Sequence, residues 1–109
     1  MAINIETISK NFINESVLYT HHAKTEMEIE EFGRITDEEV FEAVKSGEII
    51  ESYSDDKPYP SVLVFGLTGK GRPLHIVVAY NADEDITIVI TVYQPKPEKW
   101  IEYRRRVKQ

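Results

Sequence analysis

The spacing of apolar residues predicts helices in the first half of the chain. The first dozen residues predict a short amphipathic helix, because their apolar positions follow an i, i+3, i+7 spacing: Ile5, Ile8 and Phe12. A brief extended stretch follows at residues 17–19. Thr20 can then cap a second helix that runs to about residue 31, with Ala23 and Met27 one turn apart on its inner face.

The third helix has the clearest start signal in the chain. Thr36 and Glu39 form a capping-box pair, in which each side chain accepts a hydrogen bond from the backbone N–H of the other residue. Gly47 lies where a left-handed residue commonly follows a helix. These signals predict a helix over residues 37–46.

The second half of the chain changes to a period of two, which is typical of strands. Four runs rich in β-branched and aromatic residues are separated by turn-forming segments and predict a four-stranded meander: residues 49–53, 62–67, 74–80 and 86–93. Pro95 and Pro97 end the last strand, and residues 98–108 predict a short C-terminal helix or tail. The order of elements predicts one α+β domain, residues 1–109, with two to three N-terminal helices on one face of a four- to five-stranded antiparallel sheet.

The last two strands are predicted to pair so that one face is wholly apolar. If Tyr80 pairs with Ile86, the other pairs on that face are Val78 with Ile88, Ile76 with Ile90 and Leu74 with Val92. This face would pack against the helices. A slip by one residue would turn it to water, so the sequence favours this register or an even-numbered shift from it.

The opposite face of the same hairpin carries the candidate chemistry. In the predicted register, His75 lies across from Thr91 and diagonally from Tyr93, so an imidazole, a hydroxyl and a phenol converge. The alternative is that His75 is an ordinary half-buried sheet residue hydrogen-bonded to a neighbour. The face could also be covered by Trp100, by the terminal segment or by a partner subunit.

Composition narrows the chemistry that is available. The chain has 109 residues, 41% of them hydrophobic, which suits one core. It has no cysteine, which excludes disulfides, Cys-based zinc sites and the zinc-deaminase signature. It has no apolar run long enough to span a bilayer and no signal-like start, so we expect a cytoplasmic protein without membrane association.

Charge is distributed unevenly along the chain. Residues 1–56 hold 4 Lys/Arg and 14 Asp/Glu, a net charge of −10, whereas residues 57–109 hold 9 and 5, a net charge of +4. Only the second half could therefore supply a basic nucleic-acid footprint. Its Arg104-Arg105-Arg106 run could bind phosphate or a partner's acidic segment, or could be a solvated tail.

Two further histidines stand together on the second predicted helix. His21 and His22 point about 100° apart, so only one of them can face a given site. His22 shares a face with Glu26, which could orient its imidazole, although a structural or surface role is the alternative. A metal site from these histidines and His75 lacks recognisable ligand spacing, and we predict no metal and no cofactor.

Six motifs follow one another along the chain. They are His22-Ala23 with Met27; Ile35-Thr36 with Glu39-Val40; Gly47-Glu48-Ile49-Ile50-Glu51; Asp55-Asp56-Lys57-Pro58-Tyr59-Pro60-Ser61; Gly71-Arg72-Pro73-Leu74-His75-Ile76-Val77-Val78; and Ile90-Thr91-Val92-Tyr93 with Pro95. The ordered set is far more specific than any single motif. Together the motifs resemble a bacterial and archaeal family of domains of unknown function, itself similar to the RelE-like and barnase-like ribonuclease toxins, and the resemblance covers roughly residues 20–105.

The resemblance implies a RelE-like fold and metal-independent RNA cleavage, often within a toxin–antitoxin pair. It implies that His75 is the acid or base, with Tyr93 or His22 as its partner. The residues implied to bind substrate are Arg72, as the cation, with Thr91, Arg104 and Arg105. The chain departs from the family at Glu26, where many members have an Arg, and a carboxylate there would repel phosphate.

Three hypotheses follow for the function. The first is a RelE-like endoribonuclease or toxin-like protein, with RNA as its substrate. The second is a catalytically inert protein-binding module that takes an antitoxin-like partner or self-associates. The third is a small-molecule or metal-dependent enzyme.

Overall fold

The computed structural model describes residues 3–108, so the first two residues and the last residue of the predicted domain lie outside the described residues. The elements, in chain order, are α1 Ile5–Ile13, β1 Val17–Tyr19, α2 His21–Ile29, α3 Asp37–Lys45, β2 Glu48–Tyr53, β3 Ser61–Leu67, β4 Pro73–Asn81, β5 Ile86–Tyr93, β6 Trp100–Ile101 and β7 Arg105–Arg106. The predicted α+β class, with three helices and a mostly antiparallel sheet, is confirmed.

Local signals set both ends of α3. The predicted capping box is present, since Thr36 N donates to Glu39 Oε1 at 2.9 Å and Glu39 N donates to Thr36 Oγ1 at 3.1 Å. Gly47 does not adopt the predicted left-handed conformation. It is required for a different reason: a Cβ at this position would lie 2.8 Å from the backbone oxygen of Ala43, so only glycine permits this close approach.

The main sheet has five strands in the order β1-β5-β4-β3-β2. The four-stranded antiparallel meander is present as predicted. The brief extended stretch at residues 17–19 joins it as a fifth strand, β1, which pairs parallel to β5 and not antiparallel. The flanking backbone bonds are Thr87 N to Ser16 O at 3.1 Å and Thr20 N to Val89 O at 3.0 Å.

The pairing of β4 with β5 differs from the predicted register. Tyr80 does not pair with Ile86, and Ile76 pairs with Val92 where Ile90 was expected. This shift by two residues keeps both side chains on the helix side, as an even-numbered shift must. The ladder then skips one residue of β5, which makes Ile90 a β-bulge.

The bulge changes which side of the sheet each residue in the first half of β5 faces. Val78 now pairs with Val89, which is fully buried in the core, and Ile88 faces away from the helices. Thr87 also faces the helices, where its Oγ1 accepts a 2.8 Å hydrogen bond from Asn11 Nδ2 of α1. The predicted faces were wrong over this stretch because a bulge changes the alternation without a change in the apolar pattern.

The core lies between the helices and the inner face of the sheet. Its buried members are Ile8, Ala23, Met27, Ile35, Val40, Ala43, Val44, Val62, Val64, Leu74, Ile76, Val78, Val89 and Val92. No helix within residues 3–108 is long and apolar enough to cross a membrane.

The predicted C-terminal helix at residues 98–108 is wrong. This segment forms a hairpin of β6 and β7 that lies on the outer face of the sheet, where Trp100 is only 6% exposed. An isolated helix of this length is marginal in water, whereas the hairpin buries a large aromatic side chain. Its turn residues Glu102 and Tyr103 have φ of +52° and +63°, which no α-helix contains.

We predict a measurable coupling between Asn11 and Thr87. Asn11→Ala and Thr87→Val each leave one buried polar group without its partner, so each should lower the free energy of unfolding by about 1–3 kcal/mol. The double variant should lose clearly less than the two single losses added together. Urea denaturation of the four proteins measures this; additive losses would contradict the buried contact.

Candidate functional site

The outer face of the sheet brings His75, Tyr93 and Thr91 together. His75 of β4 pairs directly with Tyr93 of β5, closer than the diagonal position that the sequence predicts. Thr91 pairs with Val77, two residues along from His75, and so lies on the same face. This face points away from the three helices and towards the C-terminal hairpin.

Both ring nitrogens of His75 have a hydrogen-bond partner. Nδ1 is 3.0 Å from the hydroxyl of Tyr93, and Nε2 is 2.6 Å from the backbone oxygen of Tyr103. A carbonyl oxygen can only accept, so Nε2 carries the proton of the neutral ring. Nδ1 is then the acceptor, and the Tyr93 hydroxyl donates to it.

Aromatic rings enclose the imidazole, which is 0% exposed. The ring of Trp100 meets it edge to face with centroids 4.3 Å apart, and the rings of Tyr93 and Phe65 lie 5.2 Å and 6.0 Å away. This burial lowers the pKa of His75, because water is excluded from the charged form. The Tyr103 carbonyl and the negative charge of Glu51 oppose that shift.

A second group of polar side chains adjoins the imidazole. Arg106 of β7 donates to both carboxylate oxygens of Glu51, Nε at 2.9 Å and Nη2 at 3.1 Å, and Tyr53 donates its hydroxyl to the same carboxylate. The hydrogen bond from Arg106 holds the pKa of Glu51 below its usual range, and the carboxylate in turn raises the pKa of the guanidinium.

This carboxylate cluster is not among the sites predicted from the sequence. Glu51 and Tyr53 lie two residues apart in one strand, so their shared face could have been read from the alternation of β2. The position of Arg106 could not, because the segment that carries it was predicted to be helical.

Tyr93 connects the buried imidazole to an open groove of about 310 Å³. The groove is lined by Glu30, Glu31, Tyr93, Gln94, Lys96, Lys99, Trp100 and Arg106. Burial raises the pKa of Tyr93 to about 12, so the phenol keeps its proton at neutral pH. The guanidinium of Arg106 lies over the indole of Trp100, 4.8 Å from its centroid.

Arg72 lies on the helix side of the sheet, away from His75. Its guanidinium donates to the side chains of Gln94, at 2.7 Å, and Glu39, at 3.2 Å, and to the backbone oxygens of Arg34, at 3.0 Å, and Gly33. The side chain is only 17% exposed. These contacts tie the loop between α2 and α3 to the end of the sheet, so the structure gives Arg72 a bridging position.

The remaining predicted site residues are scattered. His22 is exposed on α2, where Nε2 lies 3.3 Å from Glu26 Oε2. Arg104 pairs with Glu48 and lies over the ring of Phe65, and Arg105 is exposed on β7. Of these residues, Arg104 comes nearest to the candidate site, since Phe65 also contacts His75.

Glu26 has a backbone partner at the edge of β5. Its Oε1 accepts a 3.0 Å hydrogen bond from Val92 N. This carboxylate therefore satisfies a strand edge that β1 is too short to cover.

Within residues 3–108, no group of three or more His, Cys, Asp and Glu side chains is arranged to hold a metal ion. The candidate site presents an imidazole, phenols, a carboxylate and a guanidinium. Such groups can transfer protons and stabilise an anion.

Comparison with protein families gives one match. A family model described as a domain of unknown function, DUF4258, matches residues 19–94. The match includes His75, Tyr93 and Glu51 and ends before the C-terminal hairpin. Neither the curated proteins nor the solved structures contain a significant match to the chain.

We predict that the buried, neutral His75 makes stability depend on pH. Its pKa is lowered in the folded state from an ordinary value of 6.5, so below about pH 6.5 the unfolded chain binds a proton that the folded chain resists. Stability should be highest above pH 6.5 and fall as the pH drops from 7.5 to 5.5, by at most about 1.4 kcal/mol per pH unit for this one group.

Denaturation of the wild type and of His75→Gln at several pH values tests this dependence. The variant should be less stable overall but should show a flatter dependence between pH 7.5 and 5.5. The lowered pKa of Glu51 affects stability only below about pH 4.5, its ordinary pKa. It therefore does not contribute to the slope between pH 7.5 and 5.5. Equal slopes for the two proteins would contradict the assignment.

Proposed function

We propose that this chain, which belongs to the DUF4258 family, is a RelE-like, metal-independent endoribonuclease of the toxin type that acts on cytoplasmic RNA. One observation carries the proposal: Tyr93 lines an open groove and donates its hydroxyl proton to the buried Nδ1 of His75 at 3.0 Å. A phenol in contact with a neutral imidazole is a proton relay, and its outer end is where a substrate can reach it.

The relay removes a proton from the 2′-hydroxyl of a ribose. As the 2′ oxygen attacks the adjacent phosphorus, its proton passes to Tyr93 and the phenol proton passes to Nδ1 of His75. The imidazolium that forms keeps its Nε2–H bond to the Tyr103 carbonyl and lies within the field of Glu51, which favours the charge. Burial raises the pKa of Tyr93 to about 12, so a free phenolate does not accumulate. The phenol gives its proton to His75 while it receives one from the ribose hydroxyl.

Cations in the groove stabilise the negative charge that develops during cleavage. Arg106 is 63% exposed at the groove and stabilises the pentavalent phosphate, the role that the resemblance implies for Arg72. Lys99 lines the same groove and protonates the leaving 5′ oxygen. Cleavage then yields a 2′,3′-cyclic phosphate and a 5′-hydroxyl end.

The decisive test is RNA cleavage in EDTA. Purified protein should cut a single-stranded RNA, and should cut a DNA strand with one ribonucleotide only on the 3′ side of that ribose. Tyr93→Phe and His75→Ala should each lower the initial rate roughly 100-fold or more. His21→Gln replaces an exposed histidine on α2 and serves as the matched control, with an unchanged rate. Failure of the wild type to cut, or variants as active as wild type, would sink the proposal.

A protein-binding module is the second candidate, and a different observation favours it. Leu18 is 58% exposed on the edge strand β1, next to its paired residue Ile88 on the outer face. An exposed apolar side chain on a strand with one free edge suits a second copy of this chain or an antitoxin-like protein partner.

We predict self-association through this edge. Sedimentation of the wild type at increasing concentration should show a dimer, and Leu18→Asp should shift it to monomer by placing a charge in the interface. Leu67→Asp, at another exposed apolar residue, of β3, is the control and should not change the mass. A wild-type protein that stays monomeric at all concentrations would exclude self-association.

A further inference from the structure

The C-terminal hairpin, residues 100–106, is a unit separate from the five-stranded sheet. β6 and β7 form a two-stranded sheet of their own, closed at its base by a 2.9 Å bond from Val107 N to Lys99 O. Residues 94–99, with two prolines, join the hairpin to β5. Backbone ladders therefore do not tie the hairpin to the surface that it covers.

The hairpin is held to the sheet by a small set of side-chain contacts and one carbonyl. The polar contacts are Tyr103 O with His75 Nε2, Arg104 with Glu48, and Arg106 with Glu51. The two arginine side chains are 50% and 63% exposed, and ion pairs in contact with water are weak. Trp100 packs in a buried position against the His75 ring, and the ring of Tyr103 and the guanidinium of Arg104 pack on Phe65.

The turn of the hairpin has two consecutive residues in the left-handed region. Glu102 and Tyr103 both have positive φ, in the left-handed region that residues with a Cβ rarely adopt. Tyr103 is also the residue whose carbonyl meets His75. Positive φ at both central residues is what a tight two-residue hairpin turn requires, so the hairpin places this carbonyl through its own turn.

The hairpin both covers His75 and completes the site. While it is docked, the imidazole of His75 is 0% exposed, although Tyr93 still lines the open groove. Yet the hairpin carries Arg106 and Trp100 into the groove wall and places the carbonyl that fixes the tautomer of His75. The family match, residues 19–94, contains the relay residues but not the hairpin.

We infer that residues 100–106 form a lid that opens as a unit about residues 94–99 to admit a ligand and closes to bring Arg106 and the Tyr103 carbonyl onto the His75–Tyr93 pair. The role of the lid in RNA cleavage rests on the proposed function. The opening itself does not, and it can be measured without RNA.

A reversible crosslink tests the lid directly. The chain has no cysteine, so Glu48→Cys with Arg104→Cys introduces the only thiols, at two positions whose native side chains touch. A short bifunctional methanethiosulfonate reagent joins them and locks the hairpin down, and dithiothreitol releases it. Each preparation is compared with itself after reduction, and Glu48→Cys alone with the same reagent is the control.

The first readout is the reaction of His75 with diethylpyrocarbonate, followed by peptide mass so that His21 and His22 are counted separately. Locking should slow modification of His75 roughly tenfold or more, since a buried group reacts only through opening, and reduction should restore the rate. His21 and His22 should react equally in both states. An equal rate of His75 modification in the locked and the released protein would contradict the lid inference.

The second readout is RNA cleavage in EDTA by the same preparations. Loss of cleavage on locking and its return on reduction support a lid that admits RNA. If no preparation cleaves RNA but the reaction of His75 follows the lock, the lid stands and the proposed function fails. If cleavage persists in the locked protein, the hairpin does not gate the substrate and the lid inference fails while the ribonuclease stands.

Discussion

The hydrogen bonding of one buried imidazole constrains the whole outer side of this protein. An imidazole that is out of contact with water needs partners for both nitrogens, and His75 takes one from each of two structural units. Tyr93 belongs to the sheet and Tyr103 to the C-terminal hairpin. The bond to Tyr103 helps to dock the hairpin and fixes the tautomer, and the bond from Tyr93 directs the phenol proton inward. One group therefore links the position of the hairpin to its own protonation state and to the proposed chemistry.

Polar side chains in the first half of the chain also supply hydrogen-bond partners, in this case to backbone groups of the sheet. β1 covers only part of β5, and the exposed backbone beyond it would otherwise lack partners in the fold. Glu26 and Glu30 of the α2 region accept from the N–H groups of Val92 and Gln94, and the hydroxyl of Thr20 donates to Ile90 O. Part of the acidic excess is thus structural, and charge counts alone could not separate it from solvated helix faces.

Sequence patterns predicted what depends on neighbours along the chain. The capping box at Thr36, the meander and the outward position of His75 each follow from residues a few positions apart. The bulge at Ile90 could not be read, because residues 86–93 are apolar or β-branched at nearly every position and both faces look alike. The hairpin was missed because its conformation depends on burying Trp100 against a distant strand.

The charges around the site decide whether it can accept a phosphate. Arg106 uses two of its five N–H donors on Glu51, through Nε and Nη2, and also contacts the hydroxyl of Tyr53, while its side chain stays 63% exposed. A phosphate can therefore bind the guanidinium while Glu51 still orients it. The carboxylate of Glu51 favours a positive imidazole at His75, whereas the positive charge of Arg106 opposes it. Neutralising Glu51 would release the guanidinium from these two hydrogen bonds and remove a charge that favours the proton on His75, so this one residue both orients Arg106 and acts on the imidazole.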